Sequence, residues 1–137
     1  MSDNMNRLRF SKGEARLLED GVIENVIFDY ASLECEDVLT FRDFNQTLAK
    51  KNNPYVVLVE SGVYTSISEQ ARKLLASREF KQFVVAKALI AQNFAQELVI
   101  NFYLRVNKPA IETKLFTKRT AALQWLRKKL QDAEDNT

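Results

Sequence analysis

The chain has 137 residues, 46% apolar and 28% charged, the profile of one soluble globular domain with a single core. Its 20 basic and 18 acidic side chains leave a net charge of +2, too small a bias to argue for a nucleic-acid partner. The absence of histidine and a single cysteine, Cys35, exclude Ser-His and Cys-His activation, histidine acid–base chemistry, an internal disulfide and a zinc site of ordinary ligand type.

The first predicted element is a hairpin. Asp20-Gly21 stands between the strand-like runs 15–19 (ARLLE) and 22–28 (VIENVIF), and a two-residue Asp-Gly loop supplies the positive φ angles of a type I′ turn. The alternation over Arg7–Phe10 extends the first arm, with a break or bend near Gly13. After Asp29 the period changes. Val38, Phe41, Phe44 and Leu48 recur at three- and four-residue spacing, behind Glu34, Glu36 and Asp37, acids that complement a helix dipole. This predicts a helix of about four turns ending near Lys51, where Asn52-Asn53-Pro54 stops it.

The run 55–59 (YVVLV) is short, β-branched and continuously apolar, the pattern of a central strand covered on both faces. The loop Glu60–Ile67 leads to Ser68, an N-cap for a helix that buries Ala71, Leu74 and Leu75 and exposes the i,i+4 pair Glu69–Lys73. A strand over Phe83–Ala91 precedes a helix from Asn93 to about Val106, which Asn107-Lys108-Pro109 ends. On that helix Phe94, Leu98 and Phe102 form one stripe, expected to face the sheet. Ile100 and Leu104 then point outward as candidate oligomer-interface residues, and a homodimer is the expected self-association. Lys114–Phe116 reads as a short strand. Thr117 is expected to cap a last helix with the stripe Ala122, Leu123, Leu126 and Leu130, Trp125 at its edge, and a frayed acidic tail over 131–137.

A hairpin followed by α-β-α-β-α-β-α implies the α/β class, a mainly parallel sheet with an N-terminal antiparallel hairpin and helices on both faces. No linker or repeat divides it, so 1–137 is one domain. The most apolar window, 84–104, carries Lys87, Gln92, Asn93, Gln96 and Glu97 at what would be bilayer depth, and is not a membrane span. With no signal-like segment over Met1–Phe10 and one cysteine, a cytoplasmic location is expected. Charge is distributed unevenly. Five acids (Asp29, Glu34, Glu36, Asp37, Asp43) face Arg42 alone over 29–43, whereas over 105–130 eight bases face only Glu112. The expectation is two oppositely charged solvated faces, meeting across the fold or in a dimer.

Taken together, the order of these features resembles a known family. The Asp-Gly hairpin, the buried strand after Asn-Pro, S-x-x-A-R at Ser68–Arg72, NF…NKP at Asn101–Pro109, KLF at Lys114–Phe116 and ALQWL at Ala122–Leu126 look like the small bacterial SpoIIAA-like proteins. These are related in fold to STAS domains and to CRAL-TRIO lipid-binding domains, and the resemblance covers the chain from about Ala15 onward. It implies helices flanking an α/β sheet and a non-enzymatic role. In STAS anti-sigma antagonists the regulated serine lies in an Asp-Ser-Ser/Thr-Gly motif; the comparable place here reads Glu60-Ser61-Gly62, so a phosphoserine switch is not carried over.

The loop Glu60–Ser68 follows the carboxyl end of a central strand, where ligands and switches of open α/β sheets lie. Ser61, Thr65, Ser66 and Ser68, with Tyr64 beside them, bring hydroxyls to a helix N-terminus that attracts anions, and Arg72 stands one turn on. Ser68 serves equally as the cap of its own helix. Asn107 and Lys108 form a second polar loop, read as near the same end of the sheet, although Asn and Pro there also make a helix stop. No catalytic residue, metal site or cofactor is expected: no Walker loop or GxGxxG occurs, and Glu60 has no carboxylate partner close in sequence. The reading ranked first is a regulatory protein-interaction domain of STAS-like kind, with a protein or a second copy as partner. The alternative is a module for a small apolar ligand or lipid, disfavoured because a drug-sized ligand needs roughly 300 Å³ of cavity.

Overall fold

The computed structural model describes residues 6–50 and 52–136. It opens on an antiparallel meander of β1 (Arg7–Phe10), β2 (Gly13–Glu19) and β3 (Val22–Ile27). Arg7–Phe10 is thus a strand of its own, folded back on β2 with Leu8 opposite Ala15. The Asp20-Gly21 loop joins β2 to β3, but only Gly21 has a positive φ (77°), so it is not the type I′ turn its sequence predicts. The ladder beside it is irregular between Leu17 and Glu19.

The chain continues through β4 (Ser32–Leu33), α1 (Cys35–Leu48), β5 (Tyr55–Ser61), β6 (Ser66–Ile67) and α2 (Glu69–Ala76). After a 3₁₀ turn at Arg78–Lys81 come β7 (Val84–Ile90), α3 (Phe94–Phe102) with a π-helical turn at Tyr103–Asn107, β8 (Glu112–Phe116) and α4 (Arg119–Asp135). One six-stranded sheet runs β1-β2-β3-β5-β7-β8, antiparallel up to β3 and parallel from there. The class is α/β, as predicted, and β5 is an interior strand. Its unbroken apolar run feeds both faces. Val56 and Leu58 join Ala86, Ala88 and the α4 residues Ala122, Leu126 and Leu130, while Tyr55 and Val57 join Val38 and Leu48 of α1 and Ala71 of α2.

Local chemistry explains most boundaries. Glu34 and Asp37 form a reciprocal capping box at the start of α1, so the acids crowding that point satisfy backbone N–H groups. The helix ends at Leu48; the predicted end, Lys51, lies outside the described residues. Thr117 does not cap α4: the cap position is Lys118, whose side chain makes no capping bond. The helix continues to Asp135 through the segment read as a frayed tail, of which Thr137 lies outside the described residues. The basic stretch finds its acids within the fold rather than in 29–43. Arg127 pairs with Glu19 at 2.8 Å, Lys129 with Glu112 at 3.0 Å, and Arg119 with Glu60 at 2.6 Å and with Glu24. No helix among the described residues is long and apolar enough to cross a membrane.

Candidate functional site

The segment between β5 and α2 is more ordered than a loop. Glu60 and Ser61 complete β5, and Ser66–Ile67 pairs in parallel with Ser32–Leu33, a two-residue ladder too short to leave a periodic signal. Ser66 Oγ donates to Ser32 Oγ at 3.1 Å, and Ser68 Oγ accepts from Ala71 N at 3.1 Å as the cap of α2. Arg72 donates through Nη1 to the Ile67 carbonyl at 2.8 Å and lies over the Phe102 ring. The Ser66 and Ser68 hydroxyls are therefore engaged in local structure, and Arg72 turns back onto its own backbone. Gly62 has to be glycine: a Cβ there would stand 2.2 Å from Asp29 Oδ1, the atom that accepts from Val63 N. That approach leaves Tyr64 at the tip, left-handed at φ 54°, 81% exposed and stacked on Tyr30 with ring centroids 5.6 Å apart.

Asn107 and Lys108 are not brought to this end. Because β5, β7 and β8 are parallel, the chain between α3 and β8 lies at the opposite end of the strands, tied by Ala110 N to the Ala76 carbonyl at the end of α2. Asn107 Oδ1 is buried there without a hydrogen-bond partner, and Lys108 takes a left-handed turn at φ 49°.

The orientation of α3 is the reverse of the one its large residues suggest. Phe94, Leu98, Val99 and Phe102 are exposed, as is Val106 beyond them, while Ile100 and Leu104 are half-buried and Tyr103 is buried. The helix is rotated by polar ties at its start: Asn93 caps it through Gln96 N at 2.9 Å, and Gln96 Nε2 donates to the Ser61 and Gly62 carbonyls, each at 3.3 Å. Gln96, Ile100, Tyr103 and Leu104 share the inward arc, so Ile100 and Leu104 are not an outward patch. All the exposed large apolar side chains among the described residues lie either on α3 and its last turn or at Tyr30, Val63 and Tyr64, the loop that Gln96 touches.

Beneath α3 lies a partly open cavity of about 180 Å³, lined by the sheet and by α1, α2 and α3. Ser61, Thr65, Ser66 and Arg72 of the predicted site line one side of it, and Ile100 and Tyr103 form its roof. Asn25 and Asn45, buried in the same wall, satisfy each other at 2.7 and 3.0 Å. Tyr55 and Tyr103 stay neutral, their hydroxyl pKa values pushed up by burial, that of Tyr55 to about 12. Lys87 projects from β7 between Val57 and Thr113 of the neighbouring strands. Its side chain is half-buried, in the wall of this pocket. Burial alone lowers its pKa to about 8. Sequence reasoning noted Lys87 only as an obstacle to membrane insertion. The available signal was a lone lysine amid VVAKALI, at an inward position of a buried strand.

A family model described as a domain of unknown function, DUF7793, matches residues 17–130. The chain belongs to the DUF7793 family. No curated protein matches it. Among solved structures, this DUF7793 chain is similar to an uncharacterized protein of the DUF3478 family from Shewanella loihica PV-4, which has a SpoIIAA-like fold. The two are 22% identical with a TM-score of 0.53, over 81% of this chain and 88% of that one. At that identity the likeness establishes the fold, and the DUF7793 domain is SpoIIAA-like, as the order of its motifs implied.

Proposed function

We propose that this domain is a non-enzymatic regulatory module of STAS-like kind that works by protein contact, through the outer face of α3 and the adjoining Tyr30–Tyr64 pair. The observation that carries the reading is the gathering of exposed large apolar side chains into this one region, with Phe94 70% and Leu98 56% exposed. The exposed cations Arg105 and Lys108 stand at its far end, so the partner that fits is an apolar surface with an acidic rim. The residue inventory supports a role without turnover: the chain has no histidine, and Glu60 is held by Arg119.

A photo-crosslinking amino acid at Leu98 tests this in cells, with Gln124, exposed on α4, as the control site. One dominant protein adduct is expected from Leu98 and none from Gln124. The identified protein, purified, should bind at least about tenfold more weakly to a Phe94→Glu/Leu98→Glu variant. Both positions already face water, so that variant keeps its fold. Equal adducts from the two sites, or unchanged affinity, overturn the reading; an adduct to a second copy replaces the acidic-rimmed partner with the chain itself.

A further inference from the structure

We infer that the cavity beneath α3 is a binding site for a small amphipathic organic anion, a monocarboxylate with a short apolar tail, whose carboxylate pairs with Lys87. The proposal does not depend on the protein-contact reading, although Val99 borders both the cavity and that face.

Three cationic side chains line the cavity, Lys87, Arg42 and Arg72, and no carboxylate does. Two of the three are already engaged. Arg42 lies 3.6 Å from Asp43 and over the Phe80 ring, and Arg72 donates to the Ile67 carbonyl. Lys87 has no hydrogen-bond or ion-pair partner among the described residues. A charged group partly withdrawn from water without a partner is costly, and proteins relieve that cost by pairing it. Lys87 is the one of the three without a protein partner, and a single carboxylate is enough to pair it.

Val59, Leu75, Leu89 and Ile100 make the remaining walls largely apolar. An inorganic anion would leave those walls wet, whereas an acyl tail covers them. The volume, about 180 Å³, sets the length of that tail: it is below the roughly 300 Å³ of a drug-sized pocket, so the ligand is a short acyl chain rather than a membrane lipid. Arg72 Nε, buried without a hydrogen-bond partner, offers a further donor at the cavity wall.

Calorimetric titration of the full chain with hexanoate, octanoate and decanoate, with octanol and chloride as controls, tests the inference. At least one of the carboxylates should bind at least about tenfold more tightly than octanol and chloride, and Lys87→Met should abolish that preference while leaving the weak binding of octanol unchanged. Methyl NMR locates the ligand independently of any variant. The signals of Val59, Leu75, Leu89 and Ile100 should move on addition of the carboxylate, while those of Leu58 and Leu126, on the opposite face of the sheet, stay in place. No binding by any of the three carboxylates, equal binding by Lys87→Met, or shifts confined to the outer surface would each overturn the assignment.

Discussion

Replacing Lys87 by methionine should make the ligand-free protein more stable at neutral pH. The side chain keeps its length and its fit to the apolar wall but loses an ammonium that burial disfavours. The lysine pKa falls from 10.5 to about 8 on folding, and at 1.36 kcal/mol per unit this is a ceiling of about 3 kcal/mol. Water at the cavity wall screens part of it, so a gain of about 1–2 kcal/mol is expected. The pH dependence follows from linkage. Between about pH 8 and 10.5 the unfolded chain binds more protons at this site than the folded one, so the wild type gains stability as pH rises through that window; below it the cost of the charged form is fully present. Tyr55 and Tyr103 shift the other way, since their raised pKa values take stability away as pH climbs past the unfolded tyrosine value of 10.0. Urea denaturation of wild type and Lys87→Met at about pH 7 and about pH 9.5 isolates the lysine, and the gap between the proteins should shrink by roughly a fifth to two fifths at the higher pH. A variant no more stable than wild type at neutral pH, or a gap that ignores pH, would show that the ammonium is well solvated. The case for an anion site would then lose its electrostatic basis.

Two further outcomes check the structure elsewhere. Glu24, 1% exposed, accepts from Arg16 and Arg119, and Glu24→Gln should cost about 1–3 kcal/mol by urea denaturation, less than a fully buried pair because both arginines can rehydrate at the surface. Ser68→Ala should lower stability by about 1 kcal/mol as a lost cap; a neutral result would mean that the Ala71 N–H finds another acceptor.

Much of the fold was written in local patterns. A two-residue loop, a continuous apolar run and three helix starts each carry their signal within a few residues, and the alternation of β and α then leaves few ways to build the sheet. Where such signals were misread, the contest was between neighbours. Lys118 rather than Thr117 takes the cap of α4, and α4 continues through residues that looked like a tail. The β4–β6 ladder was invisible because two residues have no period.

The class, the interior position of β5, the cap at Ser68 and the lack of histidine chemistry follow from residue identity and short-range spacing. Which way α3 faces and what surrounds Lys87 depend on contacts between elements far apart in the chain. A helix apolar on nearly every side has a periodicity that names its arcs without saying which is buried. The choice fell to Gln96 and its hydrogen bonds to the Ser61 and Gly62 carbonyls, 34 and 35 residues away in the chain. In the same way, a lysine in an apolar strand reads as an exposed edge or a buried charge until the partners around it are placed. It becomes a candidate site only because α1, α2 and α3 close over it and bring no carboxylate.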